Sequence, residues 1–272
     1  MFSNAYLNLI YFFILGLFAG SALNCIIYRL KTGENFWWGR SFCPKCRHVL
    51  KWYDLVPVFS FLALKGKCRY CRGKISWQYP LVEISTALIF LLIFNFEFQI
   101  SNQFSIFNFQ NIFNAIYLAI ISSFLIIIFV YDLKHYIIPD KILFPAIGIV
   151  FLYNLILNYK FLILNSLFSA FGAMAFFLLI FLISKGKWMG FGDVKLAFFM
   201  GLFLGYPNVL VALFLAFFFG AIIGVGLILA KKKNFKSEVP FGPFLIVGTF
   251  MALFLGNQLI NWYLRLFLIT GQ

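Results

Sequence analysis

The chain has 272 residues, of which 63% are hydrophobic and only 11% are charged, and its formal net charge is +14. Its mean hydropathy of +0.96 is higher than that of soluble globular proteins. These values exclude a soluble globular class and predict a polytopic membrane protein.

Apolar segments of near-spanning length follow one another along the chain and predict eight helices. Their expected bounds are about 5–28, 79–98, 112–131, 141–158, 162–184, 194–206, 208–230 and 243–264. The sixth covers roughly 13 residues, whereas a helix needs about 20 to cross the hydrocarbon core. The first segment has no basic leader, so it is interpreted as a span and not as a removable signal peptide. The predicted fold class is all-α, with about eight transmembrane helices.

Lysine and arginine are concentrated on one side of this predicted topology. Twenty of the 22 basic residues lie in the loop after helix 1 or around the connections after helices 3, 5 and 7, and only Lys160 and Arg265 lie elsewhere. The positive-inside rule places those connections in the cytoplasm and both termini outside. Topology and anionic lipid then explain the net positive charge, and no nucleic-acid partner is expected.

The first loop, about 29–78, contains two Cys-x-x-Cys pairs separated by 21 residues: Cys43 with Cys46, and Cys68 with Cys71. Two such pairs can supply the four thiolates of a tetrahedral structural zinc site. Disulfides are disfavoured in the reducing cytosol, while a redox pair or metal-free thiols remain as alternatives. A catalytic zinc is not expected, because four thiolates leave no open coordination position. We predict a small cytoplasmic zinc-binding domain.

Acidic residues are scarce, and two of them lie at predicted cytoplasmic ends of spans. Asp132 closes helix 3, where the helix dipole disfavours an anion, so it either pairs with a cation such as Lys134 or serves chemistry. Asp193 follows Gly190-Phe191-Gly192 and precedes helix 6. Two carboxyls that meet and share one proton are the minimal equipment of an aspartic protease.

Several of these residues also have purely structural interpretations. Asp193 could simply be the N-cap of helix 6, and Asp140 the N-cap of helix 4. Gly190 and Gly192 could serve a tight turn, or they could let a substrate backbone approach the carboxylate. Glu83, expected in the first turn of helix 2, is either structural or faces a cofactor.

The ordered combination of motifs resembles the bacterial type IV prepilin leader peptidases over nearly the whole chain. The matching elements are Gly20-Ser21-Ala22-Leu23-Asn24, Tyr28-Arg29-Leu30, the paired Cys-x-x-Cys module, Gly66-Lys67-Cys68-Arg69, Tyr79-Pro80-Leu81-Val82-Glu83, Asp132, Ile138-Pro139-Asp140, Gly190-Phe191-Gly192-Asp193-Val194-Lys195-Leu196 and Pro240-Phe241-Gly242-Pro243-Phe244-Leu245. Where this chain has Ala22, the family often has Phe.

The resemblance implies two activities at the bacterial inner membrane. One is cleavage of the basic leader of prepilins or pseudopilins at a Gly-Phe bond, and the other is N-methylation of the new terminus with S-adenosylmethionine. It implies catalytic roles for Asp132 and Asp193, and supporting roles for Gly190, Gly192, Asp140 and Lys195. Glu83 is a candidate for binding the methyl donor. The implied domains are a first helix (1–28), the cysteine loop (29–78) and a transmembrane peptidase domain (79–272).

Two alternatives follow from the same residues. A presenilin-like or preflagellin-type protease without methyltransferase activity shares the aspartate pair, but it is not expected to carry the four-cysteine loop. An ion- or proton-coupled carrier would place carboxylates near mid-membrane and often contain an internal repeat.

Overall fold

The computed structural model describes residues 2–34, 39–100, 109–157, 160–230 and 239–270. Within this part of the chain the regular structure is helical, apart from two isolated β-bridges. The helices are α1 (Phe2–Thr32), α2 (Phe59–Ala63), α3 (Gln78–Ile100), α4 (Phe109–His135), α5 (Asp140–Leu157), α6 (Lys160–Ser184), α7 (Phe191–Leu204), α8 (Asn208–Leu229) and α9 (Gly242–Thr270). The chain divides into two compact units, 1–127 and 128–272.

The prediction of an all-α membrane protein is confirmed, and each of the eight predicted helices is present with ends that differ by a few residues. The five-residue α2 was not predicted. The basic segment expected after helix 7, with Lys231, Lys232, Lys233 and Lys236, lies outside the described residues.

Six helices of the described chain are long and apolar enough to cross a membrane: α1, α3, α4, α6, α8 and α9. Helices α5 and α7 are not among them, so the expected number of eight spans is not confirmed. At 14 residues, α7 is about 21 Å long, shorter than a hydrocarbon core of about 30 Å.

In the first unit, α1 packs against α3 through two glycines one turn apart. A Cβ atom at Gly16 would lie 2.5 Å from the Cα of Ala87, and one at Gly20 would lie 2.6 Å from the Cα of Glu83. Small residues four apart let membrane helices approach this closely, because their backbones can touch. The cysteine loop joins the ends of this pair.

In the second unit, α7 is the central helix and packs against α5, α6, α8 and α9. Val194, Ala197 and Phe199 point to different sides of α7 and are all fully buried, so the helix is covered on several sides. At Gly201 the backbone of α6 approaches so closely that a side chain would collide with Ala170. The hydrophobicity of α7 therefore reflects burial within the unit, and its first turn carries Asp193.

Candidate active site and candidate metal centre

Asp132 lies in the last turn of α4 and is only 4% exposed. Helix α4 continues to His135, beyond the predicted end at residue 131. The carboxylate accepts a hydrogen bond from the N–H of Gly242, the first residue of α9. The first N–H groups of a helix have no partner within it, and the helix dipole there favours an anion. The start of α9 therefore compensates Asp132 for its unfavourable place at the end of α4.

The residue at position 242 must be small for this contact to exist. A Cβ atom at Gly242 would lie 2.5 Å from Oδ2 of Asp132, far inside van der Waals contact. The preceding Phe241 anchors the start of α9, because its ring centroid lies 5.1 Å from that of Phe217 and 6.1 Å from that of Phe177. The aromatic cluster of Phe177 in α6, Phe217 in α8 and Phe241 therefore positions the N–H of Gly242 toward Asp132.

Asp193 is the third residue of α7 and is 7% exposed. The N-cap of α7 is Gly190, so the interpretation of Asp193 as the N-cap is wrong. The Asp193 carboxylate instead accepts a hydrogen bond from the Gly190 N–H, and the Asp193 N–H donates to the Gly190 carbonyl at 3.1 Å. A side chain at the third helical position that reaches back to the N-cap N–H is half of a capping box. Helix initiation therefore fixes the position of this carboxylate.

The two glycines of the motif act through space and not through unusual backbone angles. Gly190 has an ordinary extended conformation, with φ −77° and ψ 153°. A Cβ atom there would meet nothing closer than 3.9 Å, and the nearest atom is Oδ2 of Asp193. At Gly192 a Cβ atom would lie 3.1 Å from the Cβ of Ile138. Gly190 therefore leaves room beside the carboxylate, and Gly192 lets Ile138 pack closely.

The structure brings Asp132 and Asp193 close enough for their charges to interact. Ile138 is buried beside them, because its side chain reaches the positions of both Gly192 and Gly242. Two like charges in a poorly solvated place repel each other, which favours a state in which the pair shares one proton. This arrangement can supply an acid and a base at one point.

Asp140 and Lys195 form an ion pair that joins α5 to α7. Asp140 is the first residue of α5, and Pro139 supplies the carbonyl that begins the helix, so the expected N-cap role of Asp140 is wrong. The Lys195 ammonium also lies 5.6 Å from the ring centroids of Phe144 and Phe191. Since Lys195 lies two residues after Asp193, these contacts hold the first turn of α7 in place.

Glu83 belongs to the first unit and is buried. Because α3 begins at Gln78, Glu83 lies beyond the first helical turn, and the predicted first-turn position is wrong. Its carboxylate accepts a hydrogen bond of 2.7 Å from the N–H of Val58 and a further one from Ser21. Val58 has a φ of +61°, which is strained for a β-branched residue. Glu83 therefore ties the cysteine loop to α3.

The four cysteine sulfurs lie within 4.8 Å of one another. Residues 41–50 and 66–75 form two equivalent turns around them. In each turn the N–H of the first cysteine donates to the carbonyl five residues later, Cys43 to His48 and Cys68 to Gly73, both at 2.9 Å. The sulfurs of Cys43 and Cys71 are 3.9 Å apart, close to the roughly 3.8 Å edge of a tetrahedral zinc–thiolate site.

The protonation of these thiols fits a bound cation. Burial raises the pKa of the Cys43 thiol, but the N–H groups of Cys46 and Lys45, together with neighbouring thiols, outweigh this and lower the pKa to about 7. The His48 N–H lowers the pKa of Cys46, but desolvation and the neighbouring sulfurs outweigh it and raise the pKa to about 11. Once one sulfur is ionised the others resist ionisation, so four thiolates require a metal. The cluster could therefore hold zinc.

Sequence reasoning missed the residues that support the two acidic groups. Gly242 and Ile138 contact the aspartates or the glycines beside them, and both belong to quoted motifs, Pro240-Phe241-Gly242-Pro243 and Ile138-Pro139-Asp140. A glycine between two prolines was the available signal. The Val58 contact with Glu83 has no equivalent signal, since the donor is a backbone group.

Comparisons with known proteins agree with this arrangement. Residues 14–96 match the family model described as the bacterial peptidase A24 N-terminal domain, and residues 119–225 match that of the type IV leader peptidase family. These two matches together cover well over half of the chain. No solved structure matches the chain at a significant level.

Curated relatives are similar over almost the full length. A prepilin leader peptidase/N-methyltransferase of Aeromonas salmonicida is 29% identical, with 93% of this chain and 92% of the relative covered. The proteins of the same name from Legionella pneumophila (29% identical, 93% and 94% covered) and Pseudomonas aeruginosa (27% identical, 93% and 92% covered) are also similar. With both domain models matched in order and a buried aspartate pair in the second, the chain belongs to the type IV leader peptidase family.

Proposed function

We propose that this chain cleaves the leader from type IV prepilins or pseudopilins at a Gly-Phe bond and N-methylates the new terminus with S-adenosylmethionine. The observation that carries the proteolytic part is the pair of buried carboxyls, Asp132 and Asp193, whose charges interact. The names of the relatives support both activities.

In the proposed cleavage, Asp132 and Asp193 share one proton. The ionised carboxylate accepts a proton from water as the water oxygen attacks the scissile carbonyl, and the protonated carboxyl donates to the oxygen that becomes negative. The tetrahedral intermediate then collapses and the C–N bond breaks. The leaving amine takes up the proton that the water gave, and a hydroxyl of the intermediate returns the other proton to the second carboxylate. The pair ends as it began. Because the two carboxyls titrate as a unit, the shared proton is assigned to the pair and not to one aspartate.

The surroundings of the two aspartates support this role. The Gly242 N–H donates to Asp132 and the Gly190 N–H donates to Asp193, so each carboxylate has a fixed direction. The space beside Gly190 suits the close approach of a substrate backbone. The ion pair of Asp140 with Lys195 supports the first turn of α7. We therefore assign Gly190, Gly192, Asp140 and Lys195 supporting roles.

For the methyl-transfer site, we keep Glu83 as the candidate. It is a buried carboxylate, and within the described ranges it has no ion-pair partner, so it could face the positive charge of a sulfonium. S-adenosylmethionine, when bound, supplies the methyl group that the new amino terminus accepts. Zinc in the four-cysteine cluster has a structural role.

For orientation we propose that the cysteine loop and the aspartates face the cytoplasm and that the termini face outward, in a bacterial inner membrane. The supporting observation is the distribution of lysine and arginine along the sequence. Prepilin cleavage fits this side, because a prepilin leader is basic and precedes an apolar helix.

The deciding experiment is cleavage of a prepilin by the full-length protein in liposomes, with Asp132→Asn and Asp193→Asn compared to the parent. Each change should lower the rate of leader removal by about 1,000-fold or more, because it removes the acid–base pair. Thermal unfolding should be unchanged or occur at higher temperature, since one of two like charges is gone. Methylation of a pre-cleaved substrate should persist in both variants, and Glu83→Gln should lower it.

Glu34→Gln is the matched control, because it removes a partly exposed carboxylate that pairs with Arg47 in the loop. This control should cleave at the parental rate. Normal cleavage by either aspartate variant would end the assignment of the pair. Persistent methylation in Glu83→Gln would remove Glu83 from the donor site and leave the proteolytic assignment intact.

A further inference from the structure

The short helix α2 in the cysteine loop has one inward and one outward face. Phe61 is buried, and its ring lies 3.1 Å from the position that a Cβ atom of Gly66 would take. Phe59 and Leu62, which share the opposite face at a spacing of three residues, are 68% and 61% exposed. Large apolar side chains exposed together in so small a domain indicate an interaction surface.

The inward face of α2 contacts the end of a membrane span. The ring of Phe61 contacts that of Trp77, with centroids 4.9 Å apart, and Trp77 directly precedes α3. Trp77 is 68% exposed, and its carbonyl accepts a hydrogen bond from the N–H of Leu81, which lies one helical turn later. Exposed apolar side chains continue along the same face of α3 at Leu81, Ile84 and Leu88. A stripe of this kind on a spanning helix faces lipid, and tryptophan is typical of its interfacial end.

The depth of α2 follows from the Glu83 contact. Val58, the residue before α2, donates its N–H to Glu83 at 2.7 Å. Glu83 is five residues into α3, which corresponds to about 7.5 Å along the helix axis. The start of α2 is therefore held at the level of the second turn of a spanning helix, near one end of the span.

The charges around α2 match an anionic surface. Lys51, Lys65 and Lys67 flank the exposed face in sequence, and all three are exposed. The acidic side chains of the loop are engaged elsewhere: Glu34 lies 3.4 Å from Arg47, and Asp54 lies 2.8 Å from Arg69. Exposed lysines beside an apolar helical face are the pattern of helices that lie in a membrane interface.

From these four observations we infer that the cysteine loop docks on the bilayer through a docking face formed by Phe59 and Leu62. Its partner is the anionic phospholipid surface around α3. The two apolar side chains of α2 insert below the headgroups, and the flanking lysines bind phosphate groups. A prepilin helix or a second copy of the chain are the competing occupants, and the experiment separates them.

The test places a single fluorescent reporter on this face in the full-length protein. The six native tryptophans are replaced by Phe, and Phe59→Trp is introduced. In vesicles of phosphatidylcholine and phosphatidylglycerol, lipids brominated on the acyl chains should quench this reporter at least about threefold more than a matched Val49→Trp reporter. Val49 is also exposed, but it belongs to the first cysteine turn and not to α2. Leu62→Trp provides a second reporter in case one variant folds poorly.

The lysines give an independent arm of the experiment. Adding Lys65→Gln and Lys67→Gln to the Phe59→Trp chain should lower the bromolipid quenching in vesicles that contain phosphatidylglycerol, and high salt should do the same.

Equal quenching of the residue 59 and residue 49 reporters would overturn the proposal. Quenching that depends on the protein-to-lipid ratio would assign the face to a second copy. Protection of the residue 59 reporter from acrylamide only after a prepilin peptide is added would assign it to the substrate. Either of these last two results also overturns docking on lipid.

Discussion

At the scale of single residues, the fit between Gly242 and Asp132 decides how the first carboxylate is held. The N–H at the start of α9 reaches Asp132 only because no side chain stands between the helix and the carboxylate. A glycine at a helix start usually costs stability through backbone entropy. Here that cost is offset by a hydrogen bond to a buried charge, which is among the stronger kinds.

Gly242→Ala should therefore lower prepilin cleavage sharply, because the new methyl group collides with Oδ2 of Asp132 and displaces it. We expect a loss of about tenfold or more, since small misplacements of acid–base groups are costly. Gly224→Ala in α8 is the matched control, because a Cβ atom there meets nothing within 4 Å. Cleavage rates in liposomes measure both variants. Equal rates for Gly242→Ala and the parent would show that the Gly242 contact with Asp132 has no part in catalysis.

At this scale the rare carboxylates could be picked out from the sequence, but the backbone groups that bind them could not, because those groups are distant along the chain. Asp132 and Asp193 stand out because carboxylates are rare in a chain this apolar, and their catalytic role stays a prediction. The group that stabilises Asp132 lies 110 positions later and is a backbone N–H. No local pattern around Asp132 encodes it. The same is true of Val58, which contacts Glu83 through its backbone.

At the scale of helices, tight crossings at small residues organise both units. Gly16 meets Ala87, Gly201 meets Ala170, and Gly248 in α9 meets the backbone of Ala212 in α8. Such crossings gain dispersion energy from backbone contact, which matters in lipid because burial of apolar side chains gives little advantage there. Helix ends were harder to predict, since the apolar run of α4 stops at Tyr131 whereas the helix continues through a polar turn to His135.

Gly16→Leu should separate α1 from α3 and lower the temperature of thermal unfolding, because the added side chain overlaps the backbone at Ala87. Overpacking of this kind typically costs 1–3 kcal/mol, and about 2 kcal/mol is expected here. Gly172→Leu in α6 should leave stability nearly unchanged, since a Cβ atom there meets nothing within 4 Å. The loss should be visible by differential scanning fluorimetry in detergent. A loss of similar size in both variants would argue against a special role for the α1–α3 crossing.

At the scale of the whole molecule, the cysteine loop is the part whose order we expect to depend on a bound ion. Regular structure between α1 and α3 is limited in the described chain to α2, a single 3-10 turn and two isolated β-bridges. The two equivalent turns meet at their four sulfurs and at the rings of His48 and Tyr70, whose centroids lie 3.6 Å apart. A domain this small seldom folds without a staple.

Purified parent protein should therefore contain about one zinc per chain by elemental analysis. Cys43→Ser with Cys46→Ser should lose the metal and render the loop sensitive to protease, and methyl transfer should fall before leader cleavage does. Cys25→Ser is the matched control, because Cys25 lies in α1, outside the four-sulfur cluster. It should retain the metal and both activities. A zinc-free parent protein would contradict a structural role for the metal. Equal loss of methyl transfer and cleavage in the double cysteine variant would contradict the expectation that methyl transfer is lost first.

Much of the architecture could be predicted from the sequence, because long apolar segments and paired cysteines are local signals. The number of spans could not, although the predicted length of about 13 residues already marked α7 as short for a span, and the helix has 14 residues. Hydrophobicity alone does not distinguish a helix buried by protein from one buried by lipid. The equivalence of the two cysteine turns was also missed, because it is carried by backbone hydrogen bonds rather than by side chains.

The shortness of α7 has a consequence for hydration. A hydrolase working within the thickness of a membrane must still bring water to its substrate, and hydrocarbon excludes water. A central helix about 9 Å too short for the hydrocarbon core cannot fill its whole depth, and α5, α6, α8 and α9 pack around it. Because Asp193 stands in the first turn of this helix, a recess at that end would be an inlet for the water molecule consumed in each turnover.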